Sequence, residues 1–234
     1  MRQVRGSLPV YLQLTETLVR DIAAGRLVDG EKLAPERDMA VEMGTSIGTL
    51  RKALAELQAR GLLERVQGSG NYVRAASDPK SLYAMFRLEL IAGGGLPTAE
   101  VLDVGRYDKP DEIATLGPSR SGHRIRRLRR LSGRVAAMEE IWLDGSFAET
   151  ITASDLSESL YLFYRTRLDL FIEKAEDQIG LRTVPAWKPD AFEPAAGSPI
   201  CHILRRSWTP QGVIAEVSHT WYDHRVAHYV SRIR

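Results

Sequence analysis

The sequence predicts an α+β protein made of two unlike parts, and three observations carry that prediction. Apolar residues recur at helical spacing through roughly the first 60 residues. Two β-prone runs then flank a Gly-Ser-Gly turn, and beyond about residue 80 strand-length runs alternate with at least one helical stretch, the signature of an antiparallel sheet with flanking helices. At 234 residues, 44% hydrophobic and 26% charged, the chain has the composition of a globular protein with room for one large or two ordinary domains.

The first helix starts near Pro9 and places Tyr11, Leu14, Leu18 and Ile22 on one face, with Gly25 as its stop signal. A second follows in A-P-E-R-D-M-A-V-E-M-G: Pro35 suits a first turn, Glu36 suits the positive end of the dipole, and Gly44 ends it. A third opens on Ser46 as N-cap, aligns Leu50, Ala53, Leu54 and Leu57, and stops at Gly61. The run L-L-E-R-V-Q-G-S-G-N-Y-V then reads as a small hairpin. Three helices and a hairpin, in that order, make a winged helix-turn-helix, assigned to residues 1–75. Small polar residues and a proline mark a linker over 76–87, and a second domain occupies 88–234. Its strands are expected in V-L-D-V-G-R-Y, H-R-I-R-R-L-R-R-L, A-A-M-E-E-I-W-L, P-I-C-H-I-L-R-R-S-W and I-A-E-V-S-H-T-W-Y, with a helix in S-L-Y-L-F-Y-R-T-R-L. The spacing of Ile125, Leu128 and Leu131 also suits a helix, and periodicity leaves that segment open.

Charge and composition narrow the partners. The net charge of +2 comes from the N-terminal third: residues 1–75 hold 11 Lys and Arg against 9 Asp and Glu, and the remainder holds 21 against 21. An anionic partner such as nucleic acid must therefore be met by placed basic groups rather than bulk charge. No apolar run nears the roughly 20 residues that cross a bilayer, and M-R-Q-V-R-G-S-L-P lacks the apolar stretch of a signal peptide, so a cytoplasmic protein without a membrane partner is expected. The one cysteine, Cys201, excludes an internal disulfide framework and is expected as a small buried apolar side chain. His224 and His228 stand four apart, with His219 nearby, but no H-E-x-x-H accompanies them; no metal site and no cofactor are expected. G-x-S-x-G, the phosphate loop and the dinucleotide glycine pattern are absent, so no catalytic residue is assigned.

One short stretch poses a question: Gly48 sits two places after the Ser46 cap, where glycine costs a helix about 1 kcal/mol relative to alanine. The linked motifs Y-L-Q-L, G-R-L-V-D-G-E-K-L-A-P-E-R-D-M-A, T-S-I-G-T-L-R-K-A-L-A-E-L-Q-A-R-G-L-L and G-S-G-N-Y-V suggest an answer, because across residues 9–74 they resemble the winged DNA-binding domain of GntR-type transcription regulators. S-L-Y-L-F-Y, the R-L-R at 127–129, Glu139 and the late W-Y-D-H-R make the rest similar to the effector-binding UTRA domain of the HutC subfamily, a fold like that of chorismate lyase. The first turn of a recognition helix enters the major groove, where glycine lets the backbone approach DNA.

The resemblance implies DNA contacts from Arg37, Ser46, Thr49, Arg51 and the wing residue Gly68, with Ser69 in the same glycine turn. Arginine can pair with guanine or grip phosphate. Where the family commonly has arginine after the serine, this chain has Ile47 followed by Gly48; Ile47 is either a core residue or a contact for a thymine methyl. Arg37 could instead pair with a carboxylate such as Glu42. In the second domain Arg127 and Arg129 would project from one face of a strand and could clamp a phosphate or carboxylate. The resemblance sets them, with Glu139 and Glu216, in an effector pocket; a solvated basic strand is the alternative. A ligand-responsive repressor, binding palindromic operator DNA as a homodimer and released by a small anionic metabolite, is the expected function. A chorismate-lyase-like enzyme and a constitutive DNA-binding dimer are the competing readings.

Overall fold

The computed structural model describes residues 9–23, 26–27, 29–74, 87–95, 97–156 and 160–231. The chain divides into two units, with the break at Arg87/Leu88. Gly25 and residues 75–86, which carry the expected helix stop and most of the expected linker, lie outside the described residues.

In the first unit, α1 (Val10–Ala23), α2 (Glu36–Glu42) and α3 (Ile47–Ala59) precede β1 (Leu63–Val66) and β2 (Gly70–Val73). The faces expected from periodicity are the buried ones: Leu18 and Ile22 of α1 and Leu50, Leu54 and Leu57 of α3 join Leu33, Met39, Leu62 and Val73 in one core. The Thr15 hydroxyl, beside that core, donates to the Ala53 carbonyl at 3.3 Å and ties α1 to α3. Pro35 stands one place before α2, with φ −52° and ψ 138°, so its carbonyl starts the helix rather than its ring lying within it. Ser46 caps α3, its hydroxyl accepting from the Thr49 amide at 3.1 Å.

The second unit contains β3 (Leu88–Leu90), β4 (Pro97–Asp108), a single 3-10 turn (Asp111–Ile113), β5 (Ser121–Leu131), β6 (Arg134–Asp144), α4 (Leu160–Arg167), β7 (Lys174–Thr183), β8 (Pro199–Trp208), β9 (Ile214–Tyr222) and β10 (Ala227–Tyr229). Six strands form one antiparallel sheet in the order β4-β5-β6-β9-β8-β7, and β3 pairs with β10 in a small separate ladder. Cross-strand register separates the residues into two faces. One face carries two apolar clusters, Leu128, Met138, Phe192, Ile200 and Trp221 in the first and Ile113, Leu116, Trp142 and Val217 in the second.

The segment that periodicity left open is β5. Ile125, Leu128 and Leu131 are all buried, but Ile125 and Leu128 point to opposite sides of the sheet. Both faces of this strand are covered, so burial does not alternate along it and mimics a helical period. β7 was not legible as a strand: its pattern of K-A-E-D-Q-I-G-L-R-T is polar and almost wholly exposed. Cys201 is half-buried on β8 rather than fully buried. No described helix is long and apolar enough to cross a membrane.

Candidate functional site

Two groups of side chains stand out, one in each unit. In the first unit the start of α3 presents a polar, open surface. Ser46 and Thr49 hydroxyls lie 2.8 Å apart, and Arg51, one turn on, is exposed with its Nε donating to Glu36 Oε2 at 2.6 Å. Hydrogen bonding to Arg51 lowers the Glu36 carboxyl pKa despite some burial. Arg37, the second residue of α2, is exposed and, among the described residues, forms no ion pair, so the expected alternative with Glu42 is not realised. Ile47 is 38% exposed and so is not a buried core residue. A Cβ added at Gly48 would meet only the Ser46 hydroxyl, at 3.9 Å, so nothing among the described residues requires glycine there. At the hairpin tip, Gly68 does require glycine, with φ +76°, and Ser69 is fastened to the Tyr72 hydroxyl at 2.6 Å.

In the second unit, the sheet face opposite the apolar clusters holds a buried layer of charges and hydroxyls. β5 and β6 place Arg127 directly across from Glu139. Arg127 donates to Glu139 Oε2 through Nη2 at 2.7 Å and Nε at 3.1 Å, while Arg129 forms an ion pair with the other carboxylate oxygen at 3.6 Å. All three are nearly excluded from solvent. Burial works to raise the Glu139 pKa, but the fields of Arg127 and Arg129 outweigh it and hold the carboxyl below its ordinary range.

Glu216 on β9 shares this face and has a different environment. It accepts from the Tyr164 hydroxyl at 2.6 Å, from Tyr161 at 3.3 Å and from Ser207 at 3.3 Å. Burial raises the Glu216 pKa against the pull of Tyr164, Arg205 and Arg127, and burial likewise drives both tyrosines well above the usual phenol range. A third acid completes the layer: Asp177 on β7 takes a two-pronged hydrogen bond from Arg205, 2.6 Å on each oxygen, and a third bond from Tyr229 at 2.8 Å.

The structure thus gathers Arg127, Arg129 and Glu139 and sets Glu216 on the same face, while Ser46, Ile47, Gly48, Thr49 and Arg51 share the opening of one helix. Sequence reasoning missed Tyr161, Tyr164, Arg205, Ser207 and Asp177. The two tyrosines were detectable as an i, i+3 pair on one helix face; Asp177 was not, because its strand had gone unread. His224 and His228 do not share a helix, since His228 lies in β10. Instead His202 and His219, adjacent on β8 and β9, share a hydrogen bond of 3.0 Å on the apolar face. Among the described residues no group of three or more His, Cys, Asp and Glu could hold a metal ion.

Comparison with known proteins agrees with this division. Residues 10–73 match the bacterial regulatory proteins of the gntR family, and residues 92–227 match the UTRA domain. The HTH-type transcriptional regulator SmoD of Agrobacterium fabrum is 65% identical over 234 residues, the whole of both chains. The HTH-type transcriptional repressor NagR of Bacillus subtilis is 25% identical, over 97% of this chain and 96% of its own. YydK of Bacillus subtilis, a solved structure, shares the fold with a TM-score of 0.55 at 19% identity, covering 96% of this chain and 99% of that one. With a winged helix-turn-helix leading into a UTRA sheet and a full-length relative at that identity, the chain belongs to the GntR family and is a transcription regulator of the GntR/UTRA type.

Proposed function

We propose that the protein is a homodimeric repressor, not a catalyst, whose hold on a palindromic operator is released when a small anionic metabolite enters the buried layer of the second domain. The layer itself carries this reading. Burying a charge is costly unless it is paired, and the fold gains nothing from six charged groups that apolar packing would not supply. Its charges are Arg127, Arg129 and Arg205 against Glu139, Glu216 and Asp177. Three guanidiniums, Arg127, Arg129 and Arg205, converge on this face, and burial works against the charged form of Glu216, so an anionic ligand suits the layer. The hydroxyls of Tyr161, Tyr164 and Ser207 around Glu216 suit a ligand that also carries hydroxyl groups.

Ser46, Thr49, Arg51 and Arg37 supply the DNA contacts on this reading, with Gly48 and Gly68 admitting the backbone to the duplex. NagR, similar over nearly the whole chain, is itself a repressor. Two copies are needed because one recognition helix reads too few base pairs. The experiment is a thermal-shift screen against phosphorylated sugars, amino acids, imidazole compounds and organic acids, followed by release of labelled operator duplex by the hits. Release by an anionic compound recovered unchanged supports the proposal. Turnover of the compound favours the enzyme reading, and operator binding indifferent to every compound favours a constitutive binder.

A further inference from the structure

The sheet face turned away from the charged layer holds an open groove of about 280 Å³, between the 3-10 turn and strands β7, β8 and β9. Ile113, Leu204 and Val217 give it an apolar lining, and one basic side chain enters it from each of the three strands: Arg182, Arg206 and His219. Register sets His219 beside Leu204 and Arg206 beside Val217, while Arg182 comes from the far end, level with Ile200. Gly180 stands between, level with His202, and puts no side chain in the way.

These three groups are less engaged than their neighbours on the same face. Arg124 and Arg126 are paired with Asp103 and Glu140, at 2.7 Å each. Arg182 makes no ion pair and no side-chain hydrogen bond among the described residues, and Arg206 reaches only Glu176, at 4.0 Å. His219 shares a hydrogen bond with His202 Nε2 through Nδ1, and its Nε2 has no hydrogen bond among the described residues. Burial, with Arg182 and Arg206, holds the His219 pKa below its ordinary value against the fields of Glu140 and Glu112, so the ring is neutral. A neutral ring that accepts from His202 at Nδ1 carries its proton on Nε2, and that nitrogen then donates into the groove.

We infer that the groove is a second ligand site, separate from the charged layer, and that it takes a small dicarboxylic acid. Two guanidiniums approaching from opposite ends of one groove suit two carboxylates held apart by a short apolar chain, which would lie on Leu204 and Val217. His219 adds a donor between them. Glu112 is the one acid in the lining, so fixed positive charge prevails there. The two sites share their strands: β8 turns Arg205 to the charged layer and Arg206 to the groove, and β9 turns Glu216 to the layer and Val217 to the groove. A diacid in the groove therefore bears on the strands that hold the layer without competing for it, and it binds there whether or not the layer holds an effector.

The test is calorimetry on the full chain with succinate, glutarate and adipate, and with the monoacids butyrate and valerate for comparison. At least one diacid is expected to bind, about fivefold or more tighter than either monoacid. Arg182→Gln and Arg206→Gln are each expected to weaken it by about fivefold or more, the share of a charged hydrogen bond that an open site retains, with circular dichroism unchanged. Arg127→Leu combined with Glu139→Gln, on the other face, is expected to bind it as the wild type does. A wild-type protein that binds no diacid, a monoacid that binds as tightly, or arginine variants that keep wild-type affinity each overturn the site; loss in the Arg127 and Glu139 variant alone would place the diacid in the charged layer instead.

Discussion

Glycine at position 48 lowers the helix propensity of α3, and the domain's own packing gives no reason for it. Gly48→Ala should therefore stabilise the protein by about 0.5–1 kcal/mol while weakening operator binding, because on the proposed reading the added methyl would stand where the backbone meets the duplex. Denaturant melts and anisotropy titrations at fixed salt measure the two effects; operator affinity unchanged by the methyl would return Gly48 to neutral drift. Arg127 needs more careful handling. It is the main partner of buried Glu139, so Arg127→Ala alone should cost on the order of 3 kcal/mol by leaving the buried carboxylate only its longer ion pair with Arg129. Arg127→Leu combined with Glu139→Gln should recover most of that stability and still lose ten- to a hundredfold in effector affinity, the value of about 1.5–3 kcal/mol for a charged partner. A double variant with wild-type effector affinity in calorimetry would remove the pair from the ligand site. The R-L-R spacing was enough to put both arginines on one face from sequence, but the partner acid could be placed only by resemblance, because pairing across strands depends on a register that no local pattern reveals.

Among the elements, those with a run of apolar residues were legible, and the polar β7 and the very short β3 and β10 were not. α1 and α3 show a clean apolar stripe, and β6, β8 and β9 are rich in β-branched and aromatic residues. β7 was lost because an edge strand with both faces largely open has no hydrophobic signal, and β3 and β10 because three residues carry too little of one. β8 and β9 also create a pH response that no motif announces. His202 is buried against His219 and Trp221, and burial, then His219 and Arg182, brings its pKa from 6.5 down to about 4. A folded-state value below the unfolded one means the stabilising contribution is complete above pH 6.5 and is lost as pH falls toward 4, at up to about 1.4 kcal/mol per pH unit. His202→Gln should flatten the fall in unfolding free energy between pH 6.5 and 4.5 relative to wild type. Parallel curves for the two proteins would show that His202 takes up its proton as readily in the fold as in the unfolded chain.

For the molecule as a whole, the two units do separate work on one equilibrium. With a net charge of only +2, affinity for DNA must come from a few placed groups, and in the proposed dimer a modest change in the relation of two DNA-binding heads would be enough to lose one half-site. On the proposed reading, ligand in the charged layer and operator on the recognition helices are linked, and linkage is reciprocal: each must change the other's affinity by the same factor. The direct measurement is therefore made twice on one preparation, operator affinity by anisotropy with and without a saturating compound from the screen, and that compound's affinity by calorimetry with and without saturating operator. A common factor of roughly 5 to 150, in the range of typical coupling energies, is the predicted result. A compound that binds tightly to the second domain yet leaves operator affinity unchanged would contradict it.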